Sequence, residues 1–386
     1  MRIICAPDSF KESLSAPEAA AAMARGIRAA LPGATVDQCP IADGGEGTVE
    51  ALVQATGGTL HRTAVRGPVG KPVDATWGVL GDAAGEETTA VIEMAAASGL
   101  ALVPEAHRDP TRTSTFGTGQ LIGAALDHGA RRIILGIGGS ATNDAGCGAA
   151  QAIGARFLDA DGRAIEQPIA GGLLERIARI DRSQLDARLA DCRITVACDV
   201  TNPLTGEQGA AHVYGPQKGA TPEQVRQLDA GLAHFARLCR AQIGRDVESL
   251  PGAGAAGGMG GGMVALLGAT LRPGVTIVLD AVNFAARVRG CDLCLTGEGR
   301  LDGTSLSGKA CLGVARAARD AGVQTVAIVG CLGENVQRTL DAGLSAYHAI
   351  GEGLSAAESM RRAAELLEQT TQRVVREWST RSTPSE

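Results

Sequence analysis

The chain has 386 residues, a formal net charge of −6 and only 2% aromatic residues. The acidic balance argues against a nucleic-acid-binding surface, and the scarcity of aromatic side chains removes the usual platforms for base stacking. This length favours two domains.

The sequence predicts a cytoplasmic protein with no membrane partner. Residues 2–6 are strand-like and lack the basic-then-apolar pattern of a secretory signal, and no apolar run approaches the roughly 20 residues of a membrane-spanning helix. We therefore expect the ten cysteines to be reduced. Cys291 and Cys294 form a C-x-x-C within an apolar run, which favours a strand over a metal or redox site because no second pair completes one.

The first forty residues predict a strand, a helix and a second strand. Residues 3–6 are apolar, and Ser15 can cap a helix over residues 16–31 with Glu18 completing a capping box. Residues 34–41 follow as the second strand. Both strands run into polar loops, which is where open α/β sheets bind ligands.

The middle of the chain has a different pattern. Residues 59–65 and 73–80 flank a Gly- and Pro-containing turn and predict an antiparallel pair. Residues 117–128 predict a helix, and residues 132–135 and 193–198 predict strands that each end in a polar loop.

A long helix and a glycine tract follow. Residues 221–242 predict the helix, which begins with Thr-Pro-Glu. Residues 252–262 consist almost entirely of glycine and alanine, so we expect a flexible hinge there. The alternative is a backbone cradle for phosphate.

The last hundred residues return to alternating strands and helices. Strands are expected at 292–296, 324–329 and 346–350, and helices at 308–321 and 356–377. This alternation predicts a parallel sheet covered by helices.

We predict an α/β fold with a doubly wound parallel-sheet domain built from both chain ends and an inserted mixed α/β domain. The discontinuous Rossmann- or flavodoxin-like domain comprises residues 1–69 and 286–386, and the inserted domain comprises residues 70–285. The ligand site is expected in the cleft between them.

Two acid-bearing loops follow the first two strands. In the first, Asp8 can hold a metal or a hydroxyl and Lys11 can hold a carboxylate or phosphate, although Ser9 could merely shape the turn beside a solvated lysine. In the second, Asp43 and Glu46 stand three residues apart at a predicted helix start. They are candidate Mg²⁺ ligands. The alternative is that their negative charges only stabilise the positive end of the helix dipole.

The loop at 136–144 reads G-I-G-G-S-A-T-N-D after a strand. It breaks the dinucleotide fingerprint G-x-G-x-x-G, because Ala141 stands where the third glycine is needed. Its backbone amides could still cradle phosphate. The candidate contacts to the nucleotide are Gly138, Gly139, Ser140, Asn143 and, further along the chain, Lys218.

Two other segments carry chemistry. Asp199 ends an apolar strand and is a candidate general base or metal ligand, with a turn-forming role as the alternative. Residues 303–310 nearly match a Walker A loop, but Ala310 replaces the Mg²⁺-binding hydroxyl, so a true P-loop is not expected. Lys309 remains a candidate anion contact at a helix start.

Together, these segments resemble the bacterial type I glycerate kinase family (glycerate 2-kinase). The motifs are A-P-D-S-F-K-E-S-L-S, I-A-D-G-G-E-G-T-V, G-I-G-G-S-A-T-N-D, D-V-T-N-P-L-T-G, P-Q-K-G-A, T-G-E-G-R-L-D and S-G-K. The resemblance covers essentially the whole chain in order. It implies ATP-dependent phosphorylation of D-glycerate with Mg²⁺, often to 2-phosphoglycerate, and a two-domain α/β fold with one domain inserted into the other.

Phosphoryl transfer depends mainly on positioning and charge neutralisation. We expect Asp199 to accept the proton of the attacking hydroxyl, with Asp8 as the rival, and Lys11 to assist catalysis. Arg300 suits the glycerate carboxylate because its guanidinium can donate two parallel hydrogen bonds. The substrate-binding candidates are Ser9, Arg300, Ser307 and Lys309.

Three alternatives remain at this stage. A glycerate kinase could instead produce 3-phosphoglycerate. An NAD-dependent hydroxy-acid dehydrogenase would share the substrate type and the architecture, but its glycine fingerprint is broken. A non-catalytic organic-acid sensor would need fewer carboxylates than these loops carry. The oligomeric state stays open, with a homo-oligomer as one alternative.

Overall fold

The computed structural model describes residues 1–81, 87–303 and 310–382. The described strands are β1 (Arg2–Pro7), β2 (Thr35–Gln38), β3 (Thr59–Arg66), β4 (Pro72–Val79), β5 (Thr89–Glu93), β6 (Arg132–Gly136), β7 (Arg156–Leu158), β8 (Arg179–Asp181), β9 (Arg193–Ala197), β10 (Thr270–Arg272), β11 (Leu293–Gly297), β12 (Arg300–Leu301), β13 (Thr325–Val329), β14 (Cys331–Leu332) and β15 (Ala346–Ala349).

Helices cover the sheets on their faces. They are α1 (Ala16–Ala30), α2 (Thr48–Thr56), α3 (Ala95–Ser98), α4 (Phe116–Asp127), α5 (Cys147–Ala152), α6 (Ala210–Tyr214), α7 (Pro222–Leu238), α8 (Ala255–Leu267), α9 (Gly274–Ala281), α10 (Phe284–Val288), α11 (Ala310–Asp320), α12 (Arg338–Asp341), α13 (Ala356–Arg361) and α14 (Ala363–Ser382). Short 3-10 turns lie at Leu100–Leu102, Glu105–His107, Gly171–Arg176, Ala187–Asp191 and Pro216–Lys218, and a π-helical turn, Cys239–Ile243, continues α7.

The first sheet is built from both ends of the chain. Its order is β15-β13-β11-β1-β2, and its neighbouring strands are all parallel. Helices α1 and α14 pack on one face through a core that includes Ile3, Met23 and Leu367. The predicted capping box at the start of α1 is confirmed, since Ser15 and Glu18 each accept from the other's backbone N–H.

The second sheet is built from the middle of the chain. Its order is β10-β9-β6-β5-β4-β3. The β3–β4 and β4–β5 pairs are antiparallel and the others are parallel, so the predicted antiparallel pair and the mixed α/β character are confirmed.

One apolar core joins the two sheets. Helices α2, α9 and α10 contribute Leu52, Ile277 and Phe284 to a cluster that also contains Ile4 of the first sheet and Val91 of the second. This shared packing brings the two sheets together. Since β3 pairs with β4, the chain passes from one sheet to the other between β2 and β3. A division into domains at residues 69 and 285 stays a proposal.

The glycine tract is buried and most of it lies in helix α8, so the flexible hinge predicted for residues 252–262 is wrong. Helix α8 is kinked, because Ala256, Gly257 and Gly258 have left-handed backbone conformations. A Cβ on Gly257 would lie 2.0 Å from the carbonyl oxygen of Thr142. Glycine is therefore needed here so that α8 can pack directly against the loop that follows β6.

Two smaller predictions can be compared directly with the structure. Cys294 lies in β11 and Cys291 is buried just before it, and both thiols are free, as the strand interpretation expects. No helix within the described ranges is long and apolar enough to cross a membrane.

Candidate active site

Four parallel strands of the first sheet end at one cavity of about 490 Å³. Strand β1 leads into Asp8, β11 into Glu298, β13 into Gly330 and β15 into Ile350, and all four residues line the cavity. This is the carboxyl edge of the sheet, where ligands bind in open α/β folds. Residues far apart in the sequence therefore meet because the sheet is parallel.

The acidic end of the cavity contains Asp8 and Asp43. The backbone N–H of Asp8 donates to the carbonyl oxygen of Gly297 at 2.8 Å, and its Oδ1 accepts from the backbone N–H of Ser9 at 2.6 Å. Burial is the main cause that raises the pKa of Asp8 to about 7, and the negative charge of Asp43 adds to it. Asp8 is thus poised to change its protonation near neutral pH.

Asp199 approaches Asp43 from the second sheet. Its Oδ1 accepts from the backbone N–H of Gly274, the first residue of α9, at 2.9 Å. Although the residue as a whole is exposed, loss of solvent around the carboxyl, together with Asp43, raises the pKa of Asp199 to about 6. A Cβ on Gly274 would lie 1.8 Å from the carbonyl oxygen of Asp43 and 3.0 Å from Oδ2 of Asp199. Asp8, Asp43 and Asp199 therefore form one acidic group at the junction of the two sheets.

Asp43 and Glu46 have different surroundings. Asp43 lines the cavity and accepts from the N–H of Gly45 at 3.1 Å, whereas Glu46 is exposed on the same loop. Among the residues that the structure describes, no group of three or more His, Cys, Asp or Glu side chains is arranged to hold a metal ion. The carboxylates of Asp8 and Asp199 are each close enough to Asp43 to feel its charge, but they do not form a preformed metal cage.

Three of the predicted basic and hydroxyl residues line the same cavity: Ser9, Lys11 and Arg300. Lys11 and Arg300 are exposed, and Nε of Arg300 donates to Oδ2 of Asp302 at 3.0 Å. Two further candidates, Ser307 and Lys309, lie outside the described residues.

The predicted phosphate loop lies at the end of β6, in the second sheet. Gly138 and Gly139 are exposed, Ser140 is buried, and this loop is absent from the described lining of the cavity. The N–H of Ala141 donates to the carbonyl oxygen of Ser98 at 2.9 Å, which fixes the far side of the turn. Gly138 and Gly139 are therefore exposed at the carboxyl edge of the second sheet.

Asn143 and Lys218 are buried behind this loop. Nζ of Lys218 donates to the carbonyl oxygen of Thr142 at 2.7 Å. Burial lowers the pKa of Lys218 to about 7, while the nearby Asp144 acts in the opposite direction. The side-chain amide of Asn143 is fully buried without a hydrogen-bond partner among the described groups. Neither side chain is at the cavity surface.

Sequence reasoning did not single out Glu93 and Glu298. Glu93 ends β5, and its Oε1 accepts from the N–H of Val49 at 2.9 Å in the first turn of α2. Burial raises the pKa of Glu93 to about 7. Glu298 is 6% exposed and lines the cavity. Their signal in the sequence is an acid at the end of an apolar strand or directly after it, the same kind of signal that identified Asp8 and Asp199.

Comparison with known proteins identifies related chains over the full length. The model of the glycerate kinase family matches residues 3–379. A glycerate kinase of Halalkalibacterium halodurans is 49% identical over 380 residues, covering 98% of each chain. The glycerate 2-kinase of Escherichia coli is 49% identical over 355 residues, covering 91% of this chain and 92% of its own.

A solved structure shares the whole fold. The crystal structure of a Salmonella typhimurium LT2 protein assigned as glycerate kinase 2 superimposes with a TM-score of 0.89 at 47% identity, covering 98% of each chain. The α/β fold derived from the sequence pattern is therefore confirmed by an experimental relative.

Proposed function

The chain belongs to the glycerate kinase family, and we propose that it transfers a phosphoryl group from ATP to the C2 hydroxyl of D-glycerate, giving 2-phosphoglycerate and ADP. The observation that carries the proposal is the acidic group of Asp8, Asp43 and Asp199 beside a cavity that also contains Lys11 and Arg300. A kinase needs both kinds of charge, since an acid accepts the hydroxyl proton and cations neutralise the phosphates.

Asp199 is our proposed general base. A base works best when its pKa lies near the working pH, and a pKa of about 6 leaves Asp199 ionised at neutral pH yet able to accept a proton. The hydrogen bond from Gly274 holds its carboxylate in place. Asp8, with a pKa of about 7, is the alternative base because it lines the cavity directly.

Asp43 and Asp8 would hold Mg²⁺, with Glu46 as a further candidate on the Asp43 loop. Their carboxylate oxygens suit this hard cation, which proteins typically bind through one or two carboxylates while it keeps water and phosphate ligands. When bound, Mg²⁺ neutralises phosphate charge. The raised pKa of Asp8 follows partly from repulsion by Asp43, which a bound cation would relieve.

The cationic residues would bind the anionic parts of the two substrates. We assign Arg300 to the glycerate carboxylate and Lys11 to the transferred phosphoryl group, and Ser9 adds a hydroxyl donor beside them. The exposed turn of Gly138 and Gly139 lies near the Asp43 loop, since a Cβ on Gly138 would lie 3.5 Å from the Cα of Gly45. It offers a backbone contact to the phosphate or to glycerate from the side of the second sheet.

The assignment of C2 rests on the relative from E. coli, which is named a glycerate 2-kinase. The dehydrogenase and sensor alternatives gain no support from the relatives. The matching family is the glycerate kinase family, and both curated relatives described above are named as glycerate kinases. A cytoplasmic location is consistent with ten free cysteines, all within the described residues.

The test is ADP release from Mg-ATP with D-glycerate, compared with reactions that contain L-glycerate or no acid. The proposal expects ADP only with D-glycerate. ADP release at the same rate in all three reactions would mean uncoupled hydrolysis, and no release would refute the kinase assignment.

A further inference from the structure

The cavity at the first sheet has two chemically different ends. The charged groups that follow β1 and β11 form one end, with Asp8, Lys11 and Arg300. The other end, beyond β15, is apolar, and we call it the apolar wall. Its residues are Ile350, Leu354, Ala356, Met360 and Ala363.

The apolar wall and Asp8 are separated by the width of the sheet. Strand order places β15 three positions from β1, and neighbouring strands lie about 4.8 Å apart, so the two ends are roughly 14 Å apart. A ligand that contacts both ends must therefore be elongated, with an apolar group at one end and an anionic group at the other.

Glycerate does not match these dimensions. The cavity of about 490 Å³ is within the range of pockets for cofactor-sized ligands. A three-carbon hydroxy acid would occupy a small part of it and has no apolar surface for the wall. The ligand that this cavity fits must be larger and partly apolar.

Met360 is an exposed apolar residue of the wall. It is 37% exposed, although it stands in a short helix whose other long side chains are charged. Leu354, in the turn before that helix, is partly buried and also lines the cavity. Apolar side chains kept at the surface of a cavity indicate a site for an apolar ligand group.

We propose that the apolar wall binds the purine base of the nucleotide, and that the phosphates extend along the carboxyl edge of the sheet towards Lys11 and Asp8. The proposal rests on the proposed kinase function for the class of ligand, and on the cavity for its position and orientation. The nucleotide then lies along the carboxyl edge of the first sheet, with its terminal phosphate at the end of the cavity that contains Asp8 and Asp43.

The position of the nucleotide can be tested in the unaltered protein by measuring whether ADP protects Cys331 from alkylation. This free cysteine is exposed and lines the cavity between the apolar wall and the charged end. Cys192 is a matched control, because it is also free and partly exposed but precedes β9 in the second sheet. Alkylation of each thiol by iodoacetamide would be followed by mass spectrometry of the peptides, with and without ADP. We expect saturating ADP to slow the reaction of Cys331 severalfold and to leave Cys192 unchanged.

Two variants of the apolar wall test the binding of the purine separately from the binding of the phosphates. Leu354→Ala and Met360→Ala each remove apolar surface from the wall, and we expect each to weaken ADP binding about tenfold in calorimetry while the KM for glycerate stays unchanged. Leu340→Ala is the control, since Leu340 is 39% exposed in α12 and is not part of the described cavity lining. Thermal unfolding midpoints would verify that all three variants fold.

The outcomes separate this inference from the kinase proposal. One outcome refutes only the placement of the nucleotide: ADP binds, but neither wall variant changes the affinity for ADP and Cys331 is not protected. The purine is then bound elsewhere. If ADP does not bind the unaltered protein, both the placement and the kinase proposal fail.

Discussion

Replacing Asp8 with Asn should stabilise the ligand-free protein against unfolding at pH 8, but hardly at pH 4.5. Asp8 is partly buried beside Asp43, and its pKa rises from the ordinary 3.8 to about 7. Since each pKa unit corresponds to about 1.4 kcal/mol, keeping Asp8 ionised in the folded state costs at most about 4 kcal/mol. Solvent on its open side reduces this, so we expect a gain of roughly 2 kcal/mol.

The sign follows from proton binding. Between pH 3.8 and about 7, folded Asp8 holds its proton and unfolded Asp8 has lost it, so rising pH favours unfolding across this window. Above pH 7 the folded protein carries the full cost of the charge. At pH 4.5 only about a quarter of that cost is present, so Asp8→Asn should change stability little there.

The assay is urea unfolding of both proteins with EDTA and without nucleotide, at pH 4.5 and pH 8. We expect the difference in unfolding free energy to be small at the lower pH and near its maximum at the higher one. An equal gain at both pH values, or a loss at pH 8, would refute the argument that Asp8 is a strained charge. The same variant should lose activity if Asp8 holds Mg²⁺ or acts as the base.

Three further predictions address the base, the substrate and the fold. Asp199→Asn should not lower the unfolding midpoint, because it removes a carboxylate whose pKa is already raised by loss of solvent, and it should lose roughly 10²–10⁴-fold in kcat. Near-normal turnover would exclude Asp199 as the general base. Arg300→Lys should raise the KM for glycerate because a lysine loses the paired hydrogen bonds, whereas a raised KM for ATP alone would assign Arg300 to the phosphates. Gly257→Ala should destabilise the protein by more than about 2 kcal/mol, since the backbone there is left-handed and a Cβ would lie 2.0 Å from the Thr142 oxygen. Gly33→Ala, where a Cβ meets nothing within 4 Å, is its control in urea unfolding and should differ little from the unaltered protein.

The local signals that identified strands and their loops were sufficient for most of the first sheet. An apolar strand followed by an acid located Asp8 and Asp199, and parallel pairing explains why residues separated by most of the chain line one cavity. The capping box at Ser15 is likewise a local pattern, and it defined the start of α1.

Other features depend on contacts between distant parts of the chain, which local sequence patterns do not reveal. The glycine-rich composition of α8 is also typical of a flexible hinge. In the structure, these glycines let α8 approach the loop at Thr142 closely, and this contact joins residues more than a hundred positions apart. The burial of Lys218 has the same origin, since a lysine in a glycine-rich loop looks solvated until the surrounding helices are placed. The separation of Asp43 from Glu46 depends on how the loop turns at the junction of the sheets.

The most direct test of the account is the position of the new phosphate. Mg-ATP and D-glycerate would be incubated with the protein, and the product supplied to enolase with no phosphoglycerate mutase present. Phosphorylation at C2 predicts ADP release together with an enolase signal, because enolase accepts 2-phosphoglycerate. ADP release with D-glycerate but no enolase signal would contradict the assignment of the C2 hydroxyl.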